Sequence, residues 1–179
     1  DSGWSRSVDA SLTAAAFWFP MDNDPGWERQ GAWAFGTPQG AGGAHGAPDP
    51  SAGYSGANVL GYNLAGDYEN GLATPRRLTT TALDCRNFMN VQLQFRRWLG
   101  VENPKYDHAS IQVSRDGRHW TDVWTNTAEV TDRAWKLVTC DISDIADHHI
   151  IFLRWSIGPT DRTWAYCGWN IDDVALLGT

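Results

Sequence analysis

The feature that most constrains this chain is the period of its apolar residues. Between residues 91 and 98, Val91, Leu93 and Phe95 alternate with Gln92, Gln94 and Arg96. A segment that buries every second side chain is a half-buried β-strand. No stretch sustains the 3.6 period of an amphipathic helix, and residues 143–148 offer one helical turn at most. Further extended segments are expected at residues 12–19, 27–35, 57–64, 77–83, 109–114, 120–124, 135–142, 150–157 and 169–177. Asp116-Gly117 supplies a hairpin turn between two of them. Roughly nine to eleven short strands separated by turn signals describe a two-sheet antiparallel β-sandwich.

Residues 36–56 break the pattern. They are rich in Gly, Ala and Pro, with Pro38, Pro48 and Pro50, and cannot form a strand interior. A loop this long in a compact domain is functional or tied down. The 179 residues suit a single domain spanning 1–179. Asp1 stands where a start Met or signal segment would be, which reads as a piece excised from a larger processed protein. A net charge of -7 excludes a phosphate-tracking nucleic-acid surface. No apolar run reaches the roughly 20 residues of a membrane helix. The charge, and the lack of an apolar seam, point to a monomer.

The 3 cysteines, Cys85, Cys140 and Cys167, match no zinc spacing. One disulfide and one spare thiol is the natural arithmetic, and spacing leaves the pair open. Calcium wants six to eight oxygen ligands. Asp22 and Asp24 lie in an acidic turn with Asn23, and Asp172 and Asp173 are adjacent near the chain's end. Adjacent residues of a strand face opposite ways, so one of the last two must point inward and needs a cation, backbone N–H groups or an arginine. Asp67 and Asp107 read more simply as turn formers.

With 11 tryptophans, aromatic platforms for sugar rings are the second candidate. Trp27, Tyr54, Tyr62, Tyr68, Tyr106, Trp164 and Tyr166 fall in loops. Trp33, Trp98, Trp120, Trp135 and Trp155 read as core filler. The best single platform is Trp164, in a polar loop after Gly158-Pro159-Thr160-Asp161-Arg162. Catalysis has little support. There is no Gly-x-Ser-x-Gly elbow and no His-Glu-x-x-His helix, and the adjacent His148 and His149 cannot chelate one metal together.

Several segments, in order, carry a family resemblance. They are Asp24-Pro25-Gly26-Trp27, Gly31-Ala32-Trp33-Ala34-Phe35-Gly36, Gly61-Tyr62-Asn63-Leu64, Leu83-Asp84-Cys85, Val113-Ser114-Arg115-Asp116-Gly117 and, most specifically, Cys167-Gly168-Trp169-Asn170-Ile171-Asp172-Asp173-Val174. With these the chain resembles the MAM-like jelly-roll modules of bacterial secreted proteins. That group includes the choice-of-anchor J type and the adhesin-like domains appended to extracellular peptidases. The resemblance implies an all-β jelly roll without catalytic activity, secreted or held at the cell surface. It also implies a structural calcium and a Cys85–Cys167 disulfide, with Cys140 free.

The chain is therefore expected to be an accessory binding or adhesion module, calcium-stabilised through Asp22, Asp24, Asp172 and Asp173. Its partner would be a polysaccharide, a cell-surface component or its parent's other domains. The alternative is a carbohydrate-binding module that presents Trp27, Tyr54, Tyr68, Trp164 and Tyr166. On either reading, the closing strand should fasten the two ends of the chain together.

Overall fold

A computed structural model of the chain describes residues 14–179. In chain order the strands are β1 (Ala14–Phe19), β2 (Glu28–Arg29), β3 (Trp33–Gly36), β4 (Val59–Tyr62), β5 (Arg76–Thr79), β6 (Leu83–Asp84) and β7 (Gln92–Val101). Then follow β8 (Ala109–Ser114), β9 (Thr121–Thr125), β10 (Val130–Thr131), β11 (Lys136–Asp141), the short helix α1 (Ser143–Ala146), β12 (Ile150–Ile157) and β13 (Gly168–Gly178). All strand pairings are antiparallel.

The strands form the two sheets of a jelly-roll sandwich. The first has the order β10-β7-β13-β4-β3, with β1 also on β13 and β11 also on β7. The second has the order β2-β5-β12-β8-β9, with β6 also on β12. The alternation read at residues 91–96 is the one observed: Val91, Leu93 and Phe95 are buried, and Gln92, Gln94 and Arg96 are not. Rings run through the core from edge to edge. Trp27 stacks on Trp155 at 5.8 Å, Phe95 meets Trp155 edge-on at 5.6 Å, and Trp124 meets Trp169 edge-on at 5.5 Å. Each such pair contributes about 0.5–1.5 kcal/mol beyond its burial.

Two expected strands are each divided. Residues 27–35 become β2 and β3, which belong to different sheets. The break is at Gly31, which has φ +62, and a Cβ there would lie 2.8 Å from the Tyr62 hydroxyl. Only glycine allows both the turn and that approach. Residues 77–83 become β5 and β6, both paired to β12. Of the expected first strand, Leu12 and Thr13 lie outside the described residues.

The Cys85–Cys167 disulfide is not formed; all three cysteines are free. Cys167 precedes Gly168, which pairs with Gly100 at one end of the first sheet. Cys85 accepts a hydrogen bond from Phe88, whose side chain packs on Gly178 at the other end. The 11 residues of β13 lie between these ends. That is roughly 30 Å of strand, far beyond the reach of a disulfide.

Residues 37–58 form a strap over the outer face of the first sheet. Trp98 Nε1 donates to Pro48 O at 3.0 Å, Asn170 Nδ2 to Asp49 Oδ1 at 2.7 Å, and Ser55 N to Asp172 Oδ2 at 3.0 Å. Asn170 and Asp172 alternate with the inward Trp169 and Ile171, so without the strap they would meet water. Beneath it both are fully buried. Burial pushes the Asp49 carboxyl up to about 7, against the opposing pull of the Asn170 hydrogen bond, and pushes Asp172 up to about 6. Asp49 Oδ2 and Asn170 Oδ1 are both buried without a partner.

A carboxyl raised in the fold stays protonated where the unfolded chain has ionised. Its contribution to stability is full below about pH 4 and is lost as pH rises through 7. Asp49→Asn keeps an oxygen to accept from Asn170 Nδ2, cannot ionise, and so removes that loss. Thermal melts should show the variant more stable than the parent by ~2 kcal/mol at pH 8, with the difference vanishing near pH 4. A constant offset at both pH values would contradict the titration of Asp49.

Candidate functional site

Loops from both sheets meet at the end of the sandwich where Gly100 pairs with Gly168. The loop after β7 (residues 102–108) crosses from the first sheet to the second. The loop before β13 (residues 158–167) crosses back. Asn126 ties the first of them down. Its Nδ2 donates to Glu102 O and Asp107 O, and its Oδ1 accepts from Ala109 N.

These loops enclose a cleft of about 320 Å³ lined by Glu102, Tyr106, Asp161, Thr163 and Trp164. That volume lies at the low end of ligand-sized sites, which run roughly 300–1,000 Å³. Trp164 is 50% exposed and Tyr106 is 42% exposed. Trp164 is held in place by His45 from the strap, which stacks on it at 4.7 Å and 13°. The strap can approach this closely because the next residue is Gly46, at φ +71, where a Cβ would lie 2.8 Å from the Tyr166 ring.

Carboxylates form the polar wall. One ligand atom from each of Glu102, Asp107 and Asp161 lies within 4.8 Å of the other two. Asp107 is fully buried; its Oδ2 accepts from Tyr68 Oη at 2.5 Å and its Oδ1 from Asp161 N at 2.8 Å. Tyr68 Oη in turn accepts from Glu102 N at 3.3 Å. Burial, then the neighbouring Asp107 charge, raises the Glu102 carboxyl above the ordinary carboxylate range. Burial raises Asp107 against the lowering effect of its hydrogen bonds, and burial with the Asp107 bond holds the Tyr68 hydroxyl protonated.

The residues singled out as a sugar platform separate by burial. Trp27, Tyr68 and Tyr166 are core residues, 2–3% exposed, and present no face to a ligand. Trp27 sits in a polar turn yet packs flat on Trp155, and the Tyr166 hydroxyl is committed to Glu129 at 2.6 Å. Tyr54 is exposed, but the Arg96 guanidinium covers its ring at 3.8 Å. Trp164 remains. Among the tryptophans read as filler, Trp33 and Trp155 are core. Trp98, Trp120 and Trp135 are half-buried, with Arg154 over Trp120 at 3.6 Å.

The four aspartates expected to hold calcium are not brought to the metal-ligand spacing of a three-residue group. Among the described residues, Glu102, Asp107 and Asp161 are the single group of three His, Cys, Asp or Glu brought to metal-ligand spacing. Asp24 is exposed and pairs with Arg29. Asp172 satisfies its oxygens with the backbone N–H groups of Ser55 and Asp173. Asp173 does not take the opposite face from Asp172. It has φ +47 in a bulge of β13, and its Oδ1 accepts from Ser55 Oγ at 2.7 Å. Asp22 does come near this junction, since a Cβ on Gly56 would lie 3.2 Å from its Oδ1.

No protein-family model matches the chain, and no curated protein sequence does. Solved structures do. SGBP-B from a xyloglucan utilization locus in Bacteroides uniformis is similar at a TM-score of 0.55 and 15% identity, over 89% of this chain and 49% of that one. The C-terminal family 22 carbohydrate binding module of Clostridium thermocellum Xyn10B is similar at 0.53 and 11%, over 93% and 96%. The CBM22-1 xylan-binding domain of Paenibacillus barcinonensis Xyn10C is similar at 0.51 and 15%, over 93% and 96%. At such identities the likeness is one of fold.

Glu102 and Asp161 carry no local signal, because their partners lie in other loops and come together only in the folded chain. Tyr68→Phe removes the hydroxyl that bridges Asp107 to the Glu102 backbone. It should destabilise the fold by about 2 kcal/mol, lowering the melting midpoint by roughly 4–8 °C. An unchanged midpoint would mean that the bridge is not needed to hold this end together.

Proposed function

We propose that this chain is a carbohydrate-binding module, a non-catalytic domain of an exported protein whose partner is a polysaccharide. The observation that supports it most is Trp164. A half-exposed indole is costly to leave in water, and here it is held rigid by His45 beside a cleft lined with carboxylates and the Thr163 hydroxyl. An apolar ring with fixed acceptors beside it matches a sugar, which has an apolar C–H face and a rim of hydroxyl donors. The fold shared with the xylan-binding domain and the family 22 module supports the same reading.

Three other clefts are larger, and one of them, of about 390 Å³ between Val123, Asp141 and Ile145, has no aromatic side chain in its wall. A second, of about 390 Å³ around Ser114, Asp116, His119 and Asp144, has no Trp, Tyr or Phe in its wall. The third, of about 420 Å³ between Pro48, Asp49 and Arg133, has Trp98, whose N–H is taken by Pro48 and whose ring packs on Trp135 at 6.0 Å. Of the two kinds of binding module expected from the sequence, adhesive accessory domain and sugar binder, the second is the one whose contact residues can be named.

Affinity electrophoresis and calorimetry against xylan, xyloglucan and β-1,4-galactan test this. Retention by at least one is expected. Trp164→Ala should weaken it by at least roughly 30-fold, the effect of losing a ~2 kcal/mol anchor, with the melting midpoint unchanged. Tyr54→Ala should leave binding intact. A Trp164→Ala variant that binds like the parent would overturn the assignment of the platform.

A further inference from the structure

We propose that Glu102, Asp107 and Asp161 form a binding site for a hard divalent cation, calcium by its donor chemistry, in the wall of the cleft. This goes beyond the sugar-binding reading and does not depend on it. The first support is the convergence of the three carboxylates within 4.8 Å, drawn from two loops on opposite sides of the sheet-to-sheet crossing. The second is independent of their number. Glu102 is only 6% exposed, and its Oε2 is buried without a hydrogen-bond partner. Buried carboxylate oxygens are ordinarily paired, so an orphan on a member of this acidic cluster points to a missing positive group.

No Lys, Arg or His among the described residues makes an ion pair with any of the three; the nearest basic groups, His45 beside Glu102 and His108 beside Asp107, act only at longer range. Among the described residues the ion pairs of Arg29, Arg86, Arg97, His119 and Lys136 all go to other acids. Three like charges at this spacing, two of them buried, cannot all be ionised without a countercharge. A divalent cation resolves this directly and displaces any proton held there. The donors are all oxygen, with no thiolate or imidazole among them, which selects calcium or magnesium over zinc or copper. Carboxylates set by two irregular loops form an adaptable shell, which suits calcium better than the strict octahedron of magnesium. Asp107 keeps acceptor capacity for a cation, since Tyr68 and Asp161 N each occupy one position on one oxygen.

The whole protein, stripped with EDTA and desalted, tests the site without any sugar. Calorimetry with calcium chloride should give one site. Terbium luminescence excited through tryptophan should rise on binding and fall when calcium competes, because Trp164 lines the same cleft. At calcium a hundred times its Kd the melting midpoint should rise by roughly 5–10 °C. Glu102→Gln and Asp161→Asn should each weaken calcium by about tenfold or more. Without calcium, Glu102→Gln should melt no lower than the parent, because it removes a buried charge. Asp22→Asn and Asp24→Asn should leave the calcium titration unchanged.

Absence of calcium and terbium binding by the parent would overturn the proposal. So would parent-like calcium affinity in Asp161→Asn, whose side chain is half-exposed and whose fold is the safer control. A titration lost in Asp22→Asn would move the site to the strand-end aspartates. Because no glycan enters the experiment, its failure is distinct from failure of the sugar-binding reading.

Discussion

The central constraint is the pairing of β13 with β7 down the middle of the first sheet, from Gly168 opposite Gly100 to Leu177 opposite Gln92. On its inner face β13 sends Trp169, Ile171, Val174 and Leu176 into the core. On its outer face Asn170 and Asp172 hold the strap. At its start it anchors the crossing loop that carries Asp161 and Trp164. Core, strap and cleft are thus placed by one register. A slip by one residue would exchange the core face for the polar one.

The strap links the two halves of this arrangement. Asp49 and Ser55 bind it to β13, while His45 reaches the end of the sandwich and stacks on Trp164. Ordering a long loop is costly in conformational entropy, and here the polar faces of Asn170, Asp172 and Asp173 offset that cost. Asp49 and Asp172 carry raised carboxyl pKa values, so the strap's hold on the sheet is sensitive to pH in the neutral range. The cleft at the end is electrostatically different. Its acids are clustered as well as hydrogen-bonded, Asp107 to Asp161 N and Asp161 to Thr163, and this clustering makes it the place where a cation or a ring of hydroxyl donors has most to gain.

The sheet architecture was legible from alternation, and the Asp116-Gly117 turn from its positive φ requirement, met by Gly117 at +71. Division of residues 27–35 was not legible, because the break depends on how closely Gly31 approaches Tyr62, a residue 31 positions away. The tryptophans were sorted incorrectly where local polarity misled. Trp27 follows Pro25-Gly26 in a turn yet is core, since its partner Trp155 comes from the opposite end of the chain. The exposure of Trp164 was legible because it follows a polar run, Thr160-Asp161-Arg162-Thr163. Of the aspartate pair, Asp172 is buried and held by backbone N–H groups as one of the expected partners, whereas the rule of alternating faces fails at the bulge that carries Asp173. Glu102 was invisible, because nothing in its neighbourhood reveals that its carboxylate will be buried beside Asp107 and Asp161.

The central claim is that the loop end of the sandwich receives a glycan against Trp164. The most direct test is nitrogen-15 chemical-shift mapping of the protein during titration with xylo- and xyloglucan oligosaccharides. The largest shifts should fall on the Trp164 indole N–H and on the backbone of Tyr106, Asp161 and Thr163, with smaller ones at His45. Shifts centred instead on the outer face of the second sheet around Trp120 and Arg154, with the Trp164 indole unmoved, would contradict it.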